Sequence, residues 1–386
     1  MIYAPNMLLI GSAGRDSGKT TFACALMERF RDRHEIIAAK VTTVQERDGT
    51  CPRGGEGCGV CAAIEGRYCI TEETASGGTK DTQRLLRAGA HKVYWLRVLR
   101  EHLAEGATAL IEAIGKDRLA VCESNSLRTV LEPGLFLLFR HSDMKTTKTS
   151  ASAVLEHVDK AIVWDGARFD FDVRDMVAAG SRWTFRYEAA AVILAGGRSE
   201  RMGRDKTMIE IEGRPLIQHV RDQLQTHFSE LLISANDATK FAFLGERVIE
   251  DIVPDQGPLA GIVSALRATR YGTDLVVACD VGEIALRLVR RLMRMAERSC
   301  ADAVVPRYDA LHTQPLFAVY RKSALPGLEQ ALTQGTWSVR EALKSCDVHY
   351  LDLADLEAPS NLNTTEDYIG FKSQFTSEEC EARDSI

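Results

Sequence analysis

No apolar run in the chain approaches the roughly 20 residues that a membrane-spanning helix needs; stretches such as "LFLLF" at 136–140 are far shorter. No long block of one charge sign is present either. The 48 Lys and Arg against 54 Asp and Glu give a net charge of -6, which argues against a general nucleic-acid or anionic-membrane surface. Internal repeats and low-complexity tracts are absent. A basic leader is also missing: the opening "MIYAPNMLLIGSAG" runs straight into a glycine-rich turn, so a first strand is expected there. Ten cysteines without a secretion signal suggest a reducing compartment, where clustered thiols bind metal more often than they pair, and the cytoplasm is the expected location.

What is present is ordinary globular material, 386 residues with 45% hydrophobic and 26% charged side chains, enough for two domains with separate cores. Short apolar runs alternate with helical stretches twice over. The first series is "MLLIGSAG", "EIIAAKVTT", "KVYWLRV", "RLAVCES", "GLFLLFR" and "KAIVWDG"; the second is "AAAVILAGG", "ELLISAND", "RVIEDI", "DLVVACD" and "ADAVVPRY". This rhythm predicts α/β architecture, two three-layer α/β/α domains each built on a parallel sheet. The rhythm breaks at 167–188, the expected junction between a domain at 1–166 and one at 189–370, and a polar tail follows at 371–386.

"GSAGRDSGKTT" lies between a strand and a helix. Gly14 and Gly18 let backbone N–H groups approach phosphate oxygens, Lys19 neutralises charge, and Thr20 and Thr21 open the helix, with Thr20 suited to Mg²⁺. Ala13 stands where the strict Walker pattern has glycine. Lys40, Asp81 and Glu123 fall at strand or helix ends where they can serve the same site, Glu123 as a Mg²⁺-binding acid. With "KDTQRLLRAGA" and the strand order, residues 7–165 resemble the small GTP-binding P-loop protein that accompanies molybdenum cofactor guanylation. The resemblance implies a P-loop NTPase fold and departs after Glu123, where "ESNSL" replaces the family's acid-glycine step.

An apparent insertion at about 48–78 places Cys51, Cys58, Cys61 and Cys69 within 19 residues, where even scatter would put about half a cysteine. Four thiolates, two of them in a Cys-x-x-Cys pair, suit Zn²⁺ or an iron–sulfur cluster, and the spacing leaves both open.

The second motif is "LAGGRSERMGRDK", which ends a strand with Leu194, Ala195, Gly196 and Gly197 and continues through Arg201 to Lys206. A loop that donates N–H groups and ends in cations can wrap a nucleoside triphosphate. The motif resembles the signature of nucleotidyltransferases related to molybdenum cofactor guanylyltransferase. "LLISAND", "VIEDIVPDQGPLAGIVSAL", "VVACD", "QPLFAVYR" and "NLNTTEDY" follow in that family's order. The resemblance implies a Rossmann-like nucleotidyltransferase fold and assigns roles by position. Leu194 to Gly197, Gly257, Pro258 and Leu259 would enclose the guanosine end, with Asp251 and Ser234 near the nucleoside. Lys206 would meet the phosphates and Asp280 would bind Mg²⁺. Asn361 and Asn363 would shape the acceptor side. It also implies GTP as donor, molybdopterin carrying molybdenum or tungsten as acceptor, and molybdoenzyme apoproteins or their chaperones as receivers.

In "CDVGEIA", Gly282 replaces the family's proline, which predicts a more flexible loop after Asp280, and Glu283 is read as a solvated acid. Cys279 reads as a buried small residue and His312 as a hydrogen-bonding loop histidine. Trp95, Trp164 and Trp337 read as core or domain-contact residues, and Lys145 and Lys148 as candidates for a nucleotide. Two alternatives stand beside the guanylyl reading: use of CTP on the same acceptor, and a binding or delivery module whose transferase half is inactive.

Overall fold

The first strand, β1 (Ile2–Ser12), is buried along most of its length, and the chain turns sharply after it into α1 (Lys19–Phe30). The computed structural model describes residues 1–44, 66–196, 205–211, 213–253, 257–309, 311–353, 362, 367 and 370. Contacts divide the chain into two compact units, Met1–Phe185 and Arg186–Ile386.

In the first unit β2 (Ile37–Val44), β3 (Tyr68–Glu72), α2 (Asp81–Arg87), β4 (Lys92–Leu99), α3 (Leu103–Ile114), β5 (Ala120–Glu123), β6 (Leu131–His141), α4 (Thr149–Ser152) and β7 (Lys160–Trp164) follow α1. The sheet order is β3-β4-β2-β5-β1-β6-β7. Successive strand side chains face opposite ways, so a strand buried throughout must be covered on both faces. One face packs Leu9, Ala39, Cys122 and Leu138 against Leu103, Ala107, Leu110 and Ile114 of α3. On the other, Phe22 of α1 meets Phe139 at 5.0 Å between ring centroids.

Residues 167–188, where the sequence rhythm breaks, contain the hairpin β8 (Met176–Ala179) and β9 (Arg182–Phe185). Trp183 of β9 is 1% exposed and donates its indole N–H to the Ala120 carbonyl at 2.9 Å, which ties this stretch to the first unit.

The second unit begins with β10 (Tyr187–Leu194), β11 (Glu210–Ile211), β12 (Arg214–Pro215), α5 (Leu216–Gln225), β13 (Phe228–Ala235) and β14 (Arg247–Glu250). It continues through α6 (Pro258–Ala268), β15 (Thr273–Ala278), α7 (Leu286–Arg298), β16 (Ala303–Arg307), β17 (Phe317–Arg321), α8 (Leu325–Thr333), α9 (Val339–Ala342) and β18 (Val348–Asp352). Its sheet order is β14-β13-β10-β15-β17-β16-β18. Leu259, Ile262, Val263 and Leu266 of α6 join Val192, Leu232, Val276 and Tyr320 in one core, while α5 and α7 cover the opposite face. Leu288, Val289, Leu292, Met293 and Ala296 are the buried stripe of α7, and its five arginines lie outside that stripe.

Neither sheet is wholly parallel, contrary to the sequence expectation. β3 runs antiparallel to β4 at one edge of the first sheet, and β17 runs antiparallel between β15 and β16 in the second. β17 follows β16 through a non-helical segment rather than the helical crossover that parallel pairing requires. The described part of the stretch read as an insertion at 48–78 therefore includes a sheet strand, β3. Trp337, read as a core or domain-contact residue, is 45% exposed.

Asp274, at the start of β15, is fully buried and accepts from the Thr269 hydroxyl at 3.0 Å, while its Oδ1 has no partner. Burial pushes its carboxyl up to about 7. A carboxyl raised above its unfolded value near 3.9 favours folding while protonated, and that contribution is lost as pH rises toward 7. Asp274→Asn should therefore gain stability over the wild type by about 2 to 4 kcal/mol between pH 5 and pH 8. Urea unfolding of the full chain at both pH values measures the difference; an equal effect at both would refute it.

Candidate functional site

Parallel strands end together, so their following loops converge on the carboxyl edge of the sheet. In the second unit this edge carries most of the described residues singled out by sequence. Ala195 N donates to Ser234 O at 2.8 Å and Cys279 N to Leu194 O at 3.1 Å, so the strand end is bonded on both flanks. Gly196 follows; a Cβ there would stand 3.2 Å from Asp251 Oδ2.

Ser234, on β13, donates to Asp251 Oδ1 at 2.6 Å. Burial raises the Asp251 carboxyl, and the Ser234 hydrogen bond opposes that rise. α6 starts beside this pair with Gly257 at φ 73°, in the left-handed region, and Pro258 in its first turn, a pairing suited to a tight loop-to-helix entry. Gly261 is required by contact: a Cβ would lie 2.6 Å from Ser234 Oγ.

Lys206 opens a short helical turn capped by Asp205, which accepts from Thr207 N at 3.1 Å and Thr207 Oγ1 at 2.7 Å and pairs with Lys240. Although burial alone would raise it, Lys240 and Thr207 hold the Asp205 carboxyl below its ordinary range. The turn brings Lys206 Nζ to 3.6 Å from Asp280 Oδ2. Cys279 beside it is no nucleophile: burial, then the Asp280 and Asp205 carboxylates, push its thiol up to about 12.

The loop after Asp280 is not left loose by Gly282. Gln223 of α5 donates to Gly282 O at 3.1 Å and accepts from Ile284 N at 2.8 Å, while Val281 and Ile284 are buried. A side-chain amide thus supplies the restraint that proline would have given. Glu283 is exposed, as read. Leu362 N donates to the Asp280 carbonyl at 2.8 Å. Gly197, Arg201, Asn361 and Asn363 lie outside the described residues.

The first unit has a cavity of about 670 Å³ at the corresponding edge of its sheet. It is lined by Gly14, Gly18, Lys19, Thr20 and Thr21 together with Lys40, Asp81 and Glu123. Gly18 caps α1 at φ 75°, and a Cβ there would lie 2.8 Å from Phe169 and 2.9 Å from Trp164. Lys19 Nζ sits 3.1 Å from Glu123 Oε2, and the side chain of Glu123 is 1% exposed. Its Oε1 is buried without a hydrogen-bond partner, so it is a donor atom available to a hard cation, with the Thr20 hydroxyl on the same cavity wall.

Although burial would raise it, Lys40 holds the Asp81 carboxyl below its ordinary range. Lys148 and Trp164 also line the cavity, whereas Lys145 does not; Trp164 is thus a cavity residue packed on Phe169 at 4.4 Å. Cys69 lies on β3; Cys51, Cys58 and Cys61 lie outside the described residues.

Several contributors escaped the sequence reading. Gln223, Ser264, which accepts from Ile252 N at 2.8 Å, and Asn125, which bonds Ser12 N at 2.7 Å and Ser12 O at 2.8 Å, act from distant elements. The Asp205-x-Thr207 cap was the one local signal available.

Residues 191–348 match a family model described as the MobA-like NTP transferase domain. A probable molybdenum cofactor guanylyltransferase of Pelotomaculum thermopropionicum is 38% identical over 189 residues, covering 47% of this chain and 91% of that protein. A molybdenum cofactor guanylyltransferase of Pseudomonas putida is 36% identical over 185 residues, covering 47% and 96%. A solved structure, molybdopterin-guanine dinucleotide biosynthesis protein A from Archaeoglobus fulgidus, is 26% identical with a TM-score of 0.44, covering 49% of this chain and 99% of that one. The second unit is that of a nucleotidyltransferase. Through it, the chain belongs to the molybdenum cofactor guanylyltransferase family.

Gly261→Ala should lower stability by about 1 to 3 kcal/mol, because its Cβ forces apart Ser234 and the start of α6. Urea unfolding measures the loss. Wild-type stability in this variant would show that α6 yields at no cost.

Proposed function

We propose that this protein is a molybdenum cofactor guanylyltransferase that transfers GMP from GTP to molybdopterin carrying molybdenum or tungsten, fused to a P-loop GTP-binding domain. The observation that carries the reading is similarity to named guanylyltransferases over 91% and 96% of their length. Among the described residues it assigns, Lys206 and Asp280 lie 3.6 Å apart.

In the proposed reaction an oxygen of the acceptor's terminal phosphate bonds to the α-phosphorus of GTP. The bond from that phosphorus to the bridging oxygen breaks, and pyrophosphate leaves with the electron pair. No protein nucleophile is needed, so the chain's work is orientation and charge neutralisation. Gly196 and the Gly257–Leu259 loop admit the nucleoside; Asp251, oriented by Ser234, offers its second oxygen. Lys206 offsets negative charge gathering on the phosphates. Asp280 would hold Mg²⁺, which supplies neutralisation of the triphosphate; one carboxylate plus substrate oxygens suits this ion. The Gln223 restraint weighs against an inactive transferase half.

In the first unit the cavity would bind GTP phosphates through the Gly14–Thr21 loop, and Thr20 and Glu123 would hold a second Mg²⁺. The unpartnered Glu123 oxygen supports that assignment. The clustered cysteines would bind Zn²⁺ or an iron–sulfur cluster, in a cytoplasmic protein whose product passes to molybdoenzymes or their chaperones. Among the described residues no helix is long and apolar enough to cross a membrane.

Purified protein given molybdopterin, molybdate, Mg²⁺ and either GTP or CTP should form the guanine dinucleotide, identified by mass. Lys206→Ala and Asp280→Asn should each cut the rate by about 100-fold or more. Lys19→Ala should leave transfer within about threefold and weaken nucleotide binding to the first unit by about tenfold or more. Cytosine product, or none from protein that binds GTP, overturns the guanylyl reading; lost transfer in folded Lys19→Ala overturns the independence of the two sites.

A further inference from the structure

We propose that the cavity between the β16–β17 connection and α9 receives the pterin ring of the acceptor, the end remote from the phosphate that attacks. The proposal rests on the reading that molybdopterin is the acceptor. The cavity, about 390 Å³, is lined by Tyr308, Leu311, His312, Gln314 and Pro315 of that connection and by Arg340 of α9. That volume falls in the range of small-molecule sites. Tyr308 is 46% and Leu311 66% exposed, so two large apolar side chains on one wall are left for a ligand to cover.

Position joins this cavity to the reaction. In the sheet order β14-β13-β10-β15-β17-β16-β18, the residues assigned to the nucleoside, Leu194, Ser234 and Asp251, stand at or just past the ends of β10, β13 and β14, all on one side of β15. Asp280 follows β15, and the connection that walls the cavity enters β17 on the other side. Val277 pairs with Phe317 and Ala278 N donates to Leu316 O at 2.8 Å, so the register brings Asp280 level with Gln314 and Pro315. Donor on one flank and acceptor on the other then meet at Asp280, as an oriented transfer requires. The far wall is tied to the same site: a Cβ at Gly257 would lie 3.9 Å from Trp337 O, three residues before Arg340.

The wall is also preformed. Tyr308 N donates to His312 O at 2.9 Å, Leu311 N and His312 N donate to Asp309 Oδ1 at 2.7 and 2.9 Å, and Tyr320 OH donates to Pro315 O at 2.7 Å. A wall held in this way loses little freedom on binding. Its chemistry suits a flat aromatic bicycle with N–H donors and a carbonyl acceptor along one edge, which is what a pterin is. Tyr308 supplies a ring face, and Arg340 a planar cation that stacks on a ring or donates to its carbonyl. His312 Nδ1 donates to Asp309 Oδ2 at 2.8 Å, which makes Nε2 the acceptor of the neutral imidazole. Gln314 has its backbone N–H on Pro306 O at 2.8 Å and its carbonyl on Phe317 N at 3.1 Å, so its side-chain amide is the polar group it offers.

Guanine carries the same donor and acceptor edge, so the test separates the two substrates. Full-length protein with molybdate and Mg²⁺ is assayed for guanylyl transfer with molybdopterin varied at saturating GTP, then with GTP varied at saturating molybdopterin. Tyr308→Ala and Arg340→Ala should each raise KM for molybdopterin by about 10-fold or more and leave KM for GTP within about twofold. Tyr308→Phe, which keeps the ring, should stay near the wild type, and Arg340→Lys should fall between. Phe243→Ala, at an exposed aromatic of the same unit outside the cavity, should change neither constant. A raised KM for GTP instead assigns the cavity to the donor's base and overturns the proposal, as does an unchanged KM for molybdopterin in both folded alanine variants. Wild-type protein that transfers nothing to molybdopterin overturns the acceptor reading itself and this proposal with it.

Discussion

Two backbone hydrogen bonds at the end of β10 hold the second unit's chemistry together. Cys279 N reaches Leu194 O on one side and Ala195 N reaches Ser234 O on the other. These extend the parallel ladders β10–β15 and β10–β13 by one step and fix where the glycine loop leaves the sheet. Everything assigned to the nucleotide depends on that register. Asp280 is one residue past the bonded Cys279, Ser234 is itself a bonding partner, and Asp251 is held by Ser234. Because a slip of one residue would exchange the two faces of β10, the burial of Val192 and Ile193 on opposite faces protects the site as well as the core.

The first unit solves a similar problem with different parts. Gly18 permits a left-handed turn under Trp164 and Phe169, and α1 then points its first N–H groups into the cavity. Asn125 binds both backbone groups of Ser12, closing the gap between β1 and the segment after β5. Lys19 and Glu123 meet across this edge, the lysine compensating the burial of the acid.

Strands ending in glycine and charge were legible because periodicity and local chemistry coincide there: "MLLIGSAG" became β1 and "AVILAGG" became β10. The approach of Glu123 to the phosphate loop followed from its strand end, whereas Ser234 and Asp251 were assigned to the nucleoside only through the resemblance. Strand direction was not legible at β17, since a buried apolar run reads alike in both orientations and the choice is made by the connection. Trp183 was hidden for another reason: it lies in a stretch whose charged neighbours break the periodic signal, yet its indole reaches a carbonyl on β5. The Gln223 restraint shows a third limit. A single amide on a helix carries no mark of the loop it holds, 59 residues away in sequence at Gly282.

The antiparallel course of β17 has its own consequence. Since it runs against its neighbours, the segment that enters it, Tyr308 to Leu316, lies at the same edge as the loops that leave β10 and β15, and Ala278 N bonds Leu316 O there at 2.8 Å. That segment is a hairpin-like connection from β16, with no crossover helix to reposition when it grows or shrinks. Insertions there would leave the parallel half of the sheet, β14-β13-β10-β15, undisturbed. The fold therefore keeps one side of the edge constrained by parallel register and the other open to change in length.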